Sequence, residues 1–224
     1  LETGHNKEKF EEVLRKGLKG LSIDIDDKIL ESFYTYSVEL IEWNKKIDLT
    51  SITSMEEVAI KHFIDSLLPA KFIKNRAFLM DIGTGGGFPG IPLKIYRTDI
   101  KALLLEATEK KVIFLKHIIR TLGLKDITPI HQRAEDRGFR GIMKETLDVV
   151  ISRAFSNFKD FFDIARLYVK QGGSVIGMLG KDWEPALKEA EPVIKANGFA
   201  ITVTECFELP EKMGSRAIIV ATRR

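Results

Sequence analysis

Cysteine is almost missing from this chain of 224 residues; the one that occurs is Cys206. A single cysteine excludes an intramolecular disulfide framework and suits a reducing compartment. It lies in a late expected strand and reads as a small buried core residue. The four histidines, His5, His62, His117 and His131, are scattered. No cluster has metal-ligand spacing, and one cysteine cannot support a zinc site. No stretch approaches about 18 uncharged apolar residues, so no membrane-spanning helix is expected. The first residues, Leu1-Glu-Thr-Gly-His-Asn-Lys-Glu8, lack the apolar centre of a signal peptide, and the expected location is the cytoplasm. A net charge of +3 is too small to announce a nucleic-acid partner. There is no internal repeat and no low-complexity segment.

What is present fits a soluble globular protein, with 44% hydrophobic and 30% charged residues. The length allows one large domain, or one domain with an appendage. Charge is unevenly spread. Residues 1–77 carry 12 Lys and Arg against 14 Asp and Glu, whereas the remainder carries 23 against 18. Lys110, Lys111 and Arg137 belong to a basic cluster that reads either as a phosphate-facing surface or as a solvated helix face.

The apolar rhythm divides the chain at about residue 78. Before it, Phe10, Val13, Leu14 and Leu18, then Ile29, Leu30, Phe33, Val38, Leu40 and Ile41, recur at helical intervals. Ser22 or Asp24 is the expected cap of the second helix, and a third helix is expected over 54–68, stopped by Pro69. After it, strands are expected at 78–82, 101–106, 127–131, 147–152 and 173–179. Helices are expected between them at 89–97, 109–122, 158–170 and 183–197. That alternation implies a parallel sheet covered by helices on both faces. Two final extended runs, 199–209 and 215–222, read as an antiparallel hairpin. The chain is thus expected to be an α/β protein: an N-terminal helical extension, 1–77, packed on a core domain, 78–224.

The most informative stretch is Phe78-Leu-Met-Asp-Ile-Gly-Thr-Gly-Gly-Gly-Phe-Pro-Gly-Ile-Pro92. An apolar run leads to Asp81 and then to Gly83, Gly85 and Gly87. Glycine lacks a Cβ and tolerates positive φ, so such a loop brings bare backbone close to a ligand. The dinucleotide fingerprint G-x-G-x-x-G/A fits Gly83 and Gly85, but its third glycine falls on Phe88. The pattern is instead acid-x-Gly-x-Gly-x-Gly, and it resembles the first motif of class I S-adenosylmethionine-dependent methyltransferases. Glu106 ends the next apolar run, near the offset at which a second strand presents an acid to a ribose diol. Both NAD and S-adenosylmethionine carry that diol, so Glu106 supports an adenosyl ligand without choosing between them.

Three further stretches carry a closer resemblance: Glu42-Trp-Asn-Lys-Lys-Ile-Asp-Leu-Thr50, Lys61-His-Phe-Ile-Asp-Ser-Leu67, and Ile151-Ser-Arg-Ala-Phe155. With the glycine loop they resemble the ribosomal RNA small-subunit methyltransferase G (GidB, RsmG) family, from about Phe33 onward. The resemblance implies a Rossmann-like, mostly parallel seven-stranded sheet with the C-terminal hairpin. It implies methyl transfer from S-adenosylmethionine to N7 of a guanine in 16S ribosomal RNA, with that RNA or the small subunit as partner. No metal and no membrane enter, and the chain is expected to be a monomer. It implies cofactor positions at Gly83, Phe88, Ala134, Glu135 and Arg153, to which the loop and second-strand reading adds Asp81, Gly85, Gly87 and Glu106; Lys110, Lys111 and Arg137 become RNA candidates. Relatives commonly have Asp where Glu106 stands.

Read as chemistry, Ala134 leaves room for an adenine ring and Glu135 meets its amino group or is a loop acid. Arg153 ends a strand, where it suits a cofactor carboxylate or an RNA phosphate, or forms an ion pair. His62 and Asp65, at i and i+3, are positioning candidates beside Arg153, or else serve a helix end and the core. Phe88 or Phe155 stacks on a flipped base or packs the core. Guanine N7 has a lone pair in the neutral base, so alignment matters more than a general base. Accordingly the fourth strand ends in Ser-Arg-Ala-Phe, without the Asn/Asp-Pro-Pro-aromatic motif used on exocyclic amines. The rival readings are a methyltransferase of the same fold acting on a protein or small molecule, and an inert ribosome-binding module.

Overall fold

The alternation of short apolar runs becomes one sheet in the computed structural model, which describes residues 2–153 and 157–224. Its strands are β1 (Phe78–Ile82), β2 (Lys101–Glu106), β3 (Ile127–His131), β4 (Leu147–Arg153), β5 (Val169–Leu179), β6 (Phe199–Glu208) and β7 (Ser215–Arg223). They are ordered β3-β2-β1-β4-β5-β7-β6. The first five are parallel, and β7 enters between β5 and β6, antiparallel to both. This is the expected seven-stranded sheet with its closing hairpin.

Alternate residues of each strand feed two cores. Leu79, Leu104, Ile151, Ile176 and Ile218 face one layer; Met80, Leu105, Val150, Val175 and Ile219 face the other. The second layer holds α8 (Phe158–Ala165) and α9 (Trp183–Ala196), through Phe158, Phe161, Phe162, Ala190 and Ile194. The first layer holds α1 (Glu2–Gly20), α2 (Asp27–Asn44), α5 (Gly90–Tyr96) and α6 (Glu109–Thr121). Phe10, Leu14 and Leu18 recur every fourth residue on α1 and are buried, as are Leu30, Phe33 and Leu40 on α2. Each such side chain stabilises the fold by about 1.5–3 kcal/mol. The N-terminal helices therefore share one continuous core with the sheet.

Local chemistry shifts several boundaries. The cap of α2 is Asp26, whose carboxylate accepts from Ile29 N at 2.8 Å; neither Ser22 nor Asp24 plays this part. Ser22 instead closes α1 in a left-handed turn, φ 57°. The third helix is not uniform. Ser54 caps α3 (Met55–Val58), a π-helical stretch follows at Ala59–Ile64, then α4 (Asp65–Leu67). Pro69 does not stop the chain's winding but sits in a 3₁₀ turn, Leu68–Phe72, where its missing N–H costs little. A short helix α7 (Arg137–Met143) was not expected, because none of its residues is buried and it carries no apolar rhythm. The helix expected at 158–170 ends at Ala165, and β5 begins at Val169.

Cys206 is exposed, contrary to the expectation of a core cysteine. In β6, an edge strand, Thr202, Thr204, Cys206 and Glu208 point outward while their neighbours are half-buried.

Candidate active site

β1 ends in Asp81 and Ile82, and the loop that follows reverses tightly against β2. Gly83 N and Thr84 N donate to Leu105 O at 2.9 and 3.1 Å, and Gly87 N and Phe88 N both donate to Thr84 O. Gly83, Gly85 and Gly87 have φ of 69°, 59° and 98°, which only glycine adopts without strain. A Cβ on Gly83 or Gly85 would meet nothing within 4 Å, so this backbone lies bare against open space. Gly87 differs: a Cβ there would strike the Tyr36 hydroxyl and Ile91. Tyr36, on α2, donates to Gly86 O and stacks on Phe88 with centroids 5.2 Å apart.

The close helix–strand packing that a dinucleotide fold takes from its third glycine falls here to Gly90. A Cβ at that position would collide with Leu104 and lie 2.9 Å from Asp81 Oδ2. Gly90 N and the Thr84 hydroxyl both donate to that oxygen, at 2.9 and 2.6 Å. Asp81 Oδ1, fully buried, has no partner among the described residues. Burial raises the carboxyl pKa to about 7, against the lowering effect of those two hydrogen bonds and of Arg153. A buried, half-satisfied carboxylate at the mouth of a bare glycine loop suits a cationic ligand group. Glu106, at the end of β2, accepts from Gly85 N at 3.0 Å and Thr108 N at 2.8 Å, and so tethers the loop.

Beside this loop, at the carboxyl ends of β4 and β5, a cleft of about 310 Å³ is lined by Ile52, Lys61, His62, Asp65, Arg153, Met178, Gly180 and Arg216. Asn44 folds the segment after α2 by donating to Thr50 O and accepting from Leu49 N and Thr50 N, at 2.8, 2.8 and 2.9 Å. Thr50 Oγ1 lies 2.9 Å from His62 Nε2, and His62 Nδ1 lies 3.0 Å from Arg153 Nη2. Arginine only donates, so Nδ1 is the acceptor and Nε2 carries the hydrogen. Burial, then the Arg153 charge, lowers the His62 pKa to about 3, and the ring is neutral. Arg153 Nη1 donates to Lys61 O at 2.7 Å and Asp65 Oδ2 at 3.2 Å. The other oxygen of Asp65 accepts from Arg216 Nε at 3.1 Å. A fully buried carboxylate is thus shared by two guanidinium groups, one from β4 and one from β7. The π-helical stretch supplies His62 and Lys61 O; such irregular turns are frequent at functional sites.

The expected site residues separate into groups. Asp81, the glycines and Glu106 come together around the loop, and His62, Asp65 and Arg153 meet in the cleft. At the end of β4 stands an ion pair, not a free cation. Phe88 does not offer its ring: it is 4% exposed, stacked on Tyr36 and on His62 (4.3 Å), with the Arg153 guanidinium 5.1 Å from its centroid. Phe155 and Ala154 lie outside the described residues. Ala134 is buried and its carbonyl accepts from the Tyr168 hydroxyl, while exposed Glu135 helps line a hollow with Ala107 and His131 beyond β2 and β3. Lys110 and Arg137 are exposed and Lys111 is partly so, and none of the three lines the cleft. Tyr36, Thr50, Gly90 and Arg216 had not been anticipated. Gly90 was visible as the last glycine of Gly-Phe-Pro-Gly, but nothing marked Tyr36 or Arg216.

The cleft and the hydrogen bonds that hold it join segments far apart in the sequence: 42–50, 61–67 and the end of β4. All three lie within residues 29–214, the span matched by the family model described as rRNA small subunit methyltransferase G. This chain belongs to the rRNA small subunit methyltransferase G family. It is 39% identical over 215 residues to the Ribosomal RNA small subunit methyltransferase G of Geotalea uraniireducens, covering 95% of this chain and 96% of that protein. The protein of the same name from Staphylococcus epidermidis is 36% identical, covering 95% of this chain and 90% of its own length. Among solved structures, a SAM dependent methyltransferase from Aquifex aeolicus aligns with a TM-score of 0.57 at 14% identity, covering 84% of this chain and 98% of that one. M. jannaschii TYW2 in complex with AdoMet aligns with a TM-score of 0.58 at 18% identity, over 80% and 78%. At these identities the structural likeness speaks for the methyltransferase fold alone.

Proposed function

We propose that this chain transfers a methyl group from S-adenosylmethionine to N7 of a guanine in 16S ribosomal RNA, acting in the cytoplasm as a monomer. The bonded series Asn44–Thr50–His62–Arg153–Asp65–Arg216 carries the reading. It draws the family's separate signatures into one cleft beside the glycine loop. When bound, S-adenosylmethionine supplies an electrophilic methyl group. Gly83 and Gly85 present bare backbone to it, Asp81 Oδ1 offers an oxygen to its ammonium, and Glu106 offers acceptors to its ribose diol. Ala134 and Glu135 border the adenine end, and Phe88 fixes the loop from behind.

The cleft then holds the base. His62 has both ring nitrogens committed, one accepting and one donating, so it offers no lone pair to a substrate proton. That suits an attacking N7, whose lone pair is already free, and would not suit an exocyclic amine. What these residues supply is alignment and exclusion of water. Arg153 spends its donors on Lys61, His62 and Asp65 and acts by positioning them. The cleft lining holds three cations, Lys61, Arg153 and Arg216, against one carboxylate, Asp65, an excess that suits a polyanionic strand.

The test is transfer of labelled methyl to 16S RNA, or to small subunits from cells lacking this modification, followed by mapping. Label on guanine N7 is the expected result. No label, or label elsewhere, overturns the proposal.

A further inference from the structure

Cations are distributed evenly enough along the chain, but their partners are not. In the half of the sheet made by residues 145–224, seven of the eleven Lys and Arg are paired with a carboxylate. At the other end, built from β2, α6, β3 and α7, the pattern inverts. Residues 101–144 contain ten Lys and Arg against five Asp and Glu. None of the ten forms an ion pair among the described residues. Two of the five acids are already committed: Glu106 to loop amides, and Asp136 to capping α7 through Phe139 N. The face is also short of protein cover. α7 buries none of its residues, and Ile113 and Ile142 stand 50% and 76% exposed among the cations.

We propose that this end of the sheet is a second RNA contact, a backbone-tracking face that holds ribosomal RNA away from the methylated base. The proposal rests on the RNA reading above and extends it from the cleft to the flank. Lys110, Lys116 and Arg120 are exposed along α6, and Arg133, Arg137 and Lys144 are exposed on and around α7. Unpaired, solvated cations of this kind neutralise phosphates and release counterions. A protein partner fits less well. Lysine is depleted from protein interfaces, which carry an apolar centre, and here the exposed isoleucines stand singly. Strand addition at the β3 edge is disfavoured too, since Pro129 removes a donor from that edge.

The experiment compares two triple reversals of equal charge change. One is Lys110→Glu, Lys116→Glu, Arg120→Glu on α6. The other is Lys181→Glu, Lys188→Glu, Lys195→Glu at and before α9, on the other side of the sheet. Binding to 16S RNA is measured across a salt series with S-adenosylhomocysteine present. The α6 set should flatten the slope of log K against log salt by about two, at roughly 0.7–0.9 per phosphate lost, and the α9 set should leave it. Equal slopes for both sets overturn the proposal. So does normal binding of naked RNA with lost binding of assembled subunits, which would mark a protein contact. If the reversals unfold α6, as melting would reveal, the glutamine set at the same positions gives the same comparison. Methyl transfer by the wild type in the same preparation separates the outcomes: its absence defeats the RNA reading itself, its presence with equal slopes defeats only this face.

Discussion

Arg153 and Asp65 meet at 3.2 Å across the join between β4 and the irregular helix, and Asp65 has no exposed surface at all. The pair is what lets a carboxylate sit in the first core layer. It also sets the orientation of His62 and, through the second carboxylate oxygen, of Arg216.

Arg153→Ala should therefore cost both stability and transfer. Breaking a buried pair costs about 3–5 kcal/mol, and since Arg216 remains on Asp65 the lower end applies. Lysine keeps the charge but not the fork that reaches Lys61 O, His62 and Asp65 together, so it should restore part of the melting temperature and little of the transfer. Thermal melts beside single-turnover rates decide. An alanine variant that melts like the wild type would mean that this guanidinium does not hold the cluster.

Two buried groups give opposite pH dependences. His62 titrates at about 3 in the folded chain against an ordinary 6.5. The unfolded chain binds the extra proton in that interval, so this contribution is whole above 6.5 and is lost as pH falls toward 3. Asp81 is raised from 3.8 to about 7, so its contribution is whole below 3.8 and is lost as pH rises through 7. His62→Gln should flatten the acid-side loss of stability. Asp81→Asn, which keeps an acceptor for Thr84 and Gly90, should remove the decline toward neutrality. Denaturant unfolding across this range, for both variants, checks the two signs separately.

Gly85→Val and Gly90→Ala should fail differently. At Gly85 the space is open and the penalty is the positive φ, of order 1 kcal/mol or more for a branched residue, so folding survives while S-adenosylhomocysteine affinity collapses. At Gly90 the added methyl drives into Leu104 and Asp81, an overpacking cost of about 1–3 kcal/mol, so the melting temperature falls first. Calorimetry and melts on both proteins test this order; retained affinity in Gly85→Val would remove the loop from the cofactor site.

Tyr36→Phe keeps the stack on Phe88 and loses only the bond to Gly86 O. Leaving that buried carbonyl unpaired costs about 1–3 kcal/mol. Cofactor affinity should drop by about tenfold, because the loop that loses its tether is the one that lies bare. Unchanged affinity would assign Tyr36 to packing alone.

Most of the sheet was legible because its strands are short apolar runs bounded by glycine, proline or acid, and β1, β2 and β3 fall where the runs do. The glycine loop was legible for the same reason that it works: positive φ leaves a compositional trace. Interactions between distant segments leave none. Arg216 looks like any polar residue at the start of a strand, and its role exists only because β7 inserts beside β5. The π-helical stretch keeps an ordinary helical pattern in its letters. Cys206 misled because β6 alternates on an edge, where the mixed run Val203-Thr-Glu-Cys-Phe207 does not say which residues face in.

The joint between the N-terminal helices and the sheet bears on how the chain comes into being. Leu14, Phe33 and Phe63 precede every strand of the sheet in the chain, yet they share one core with Leu79, Ile151 and Ile218. The last of these belongs to β7, the last strand of the sheet in chain order and the last but one in space. The helices made first are thus completed last, and until β7 docks they carry uncovered apolar surface. Nascent chains halted before residue 215 should be cleaved by protease within 2–72, and chains extending through residue 224 should resist; protection of the shorter chains would show that the helices close on their own.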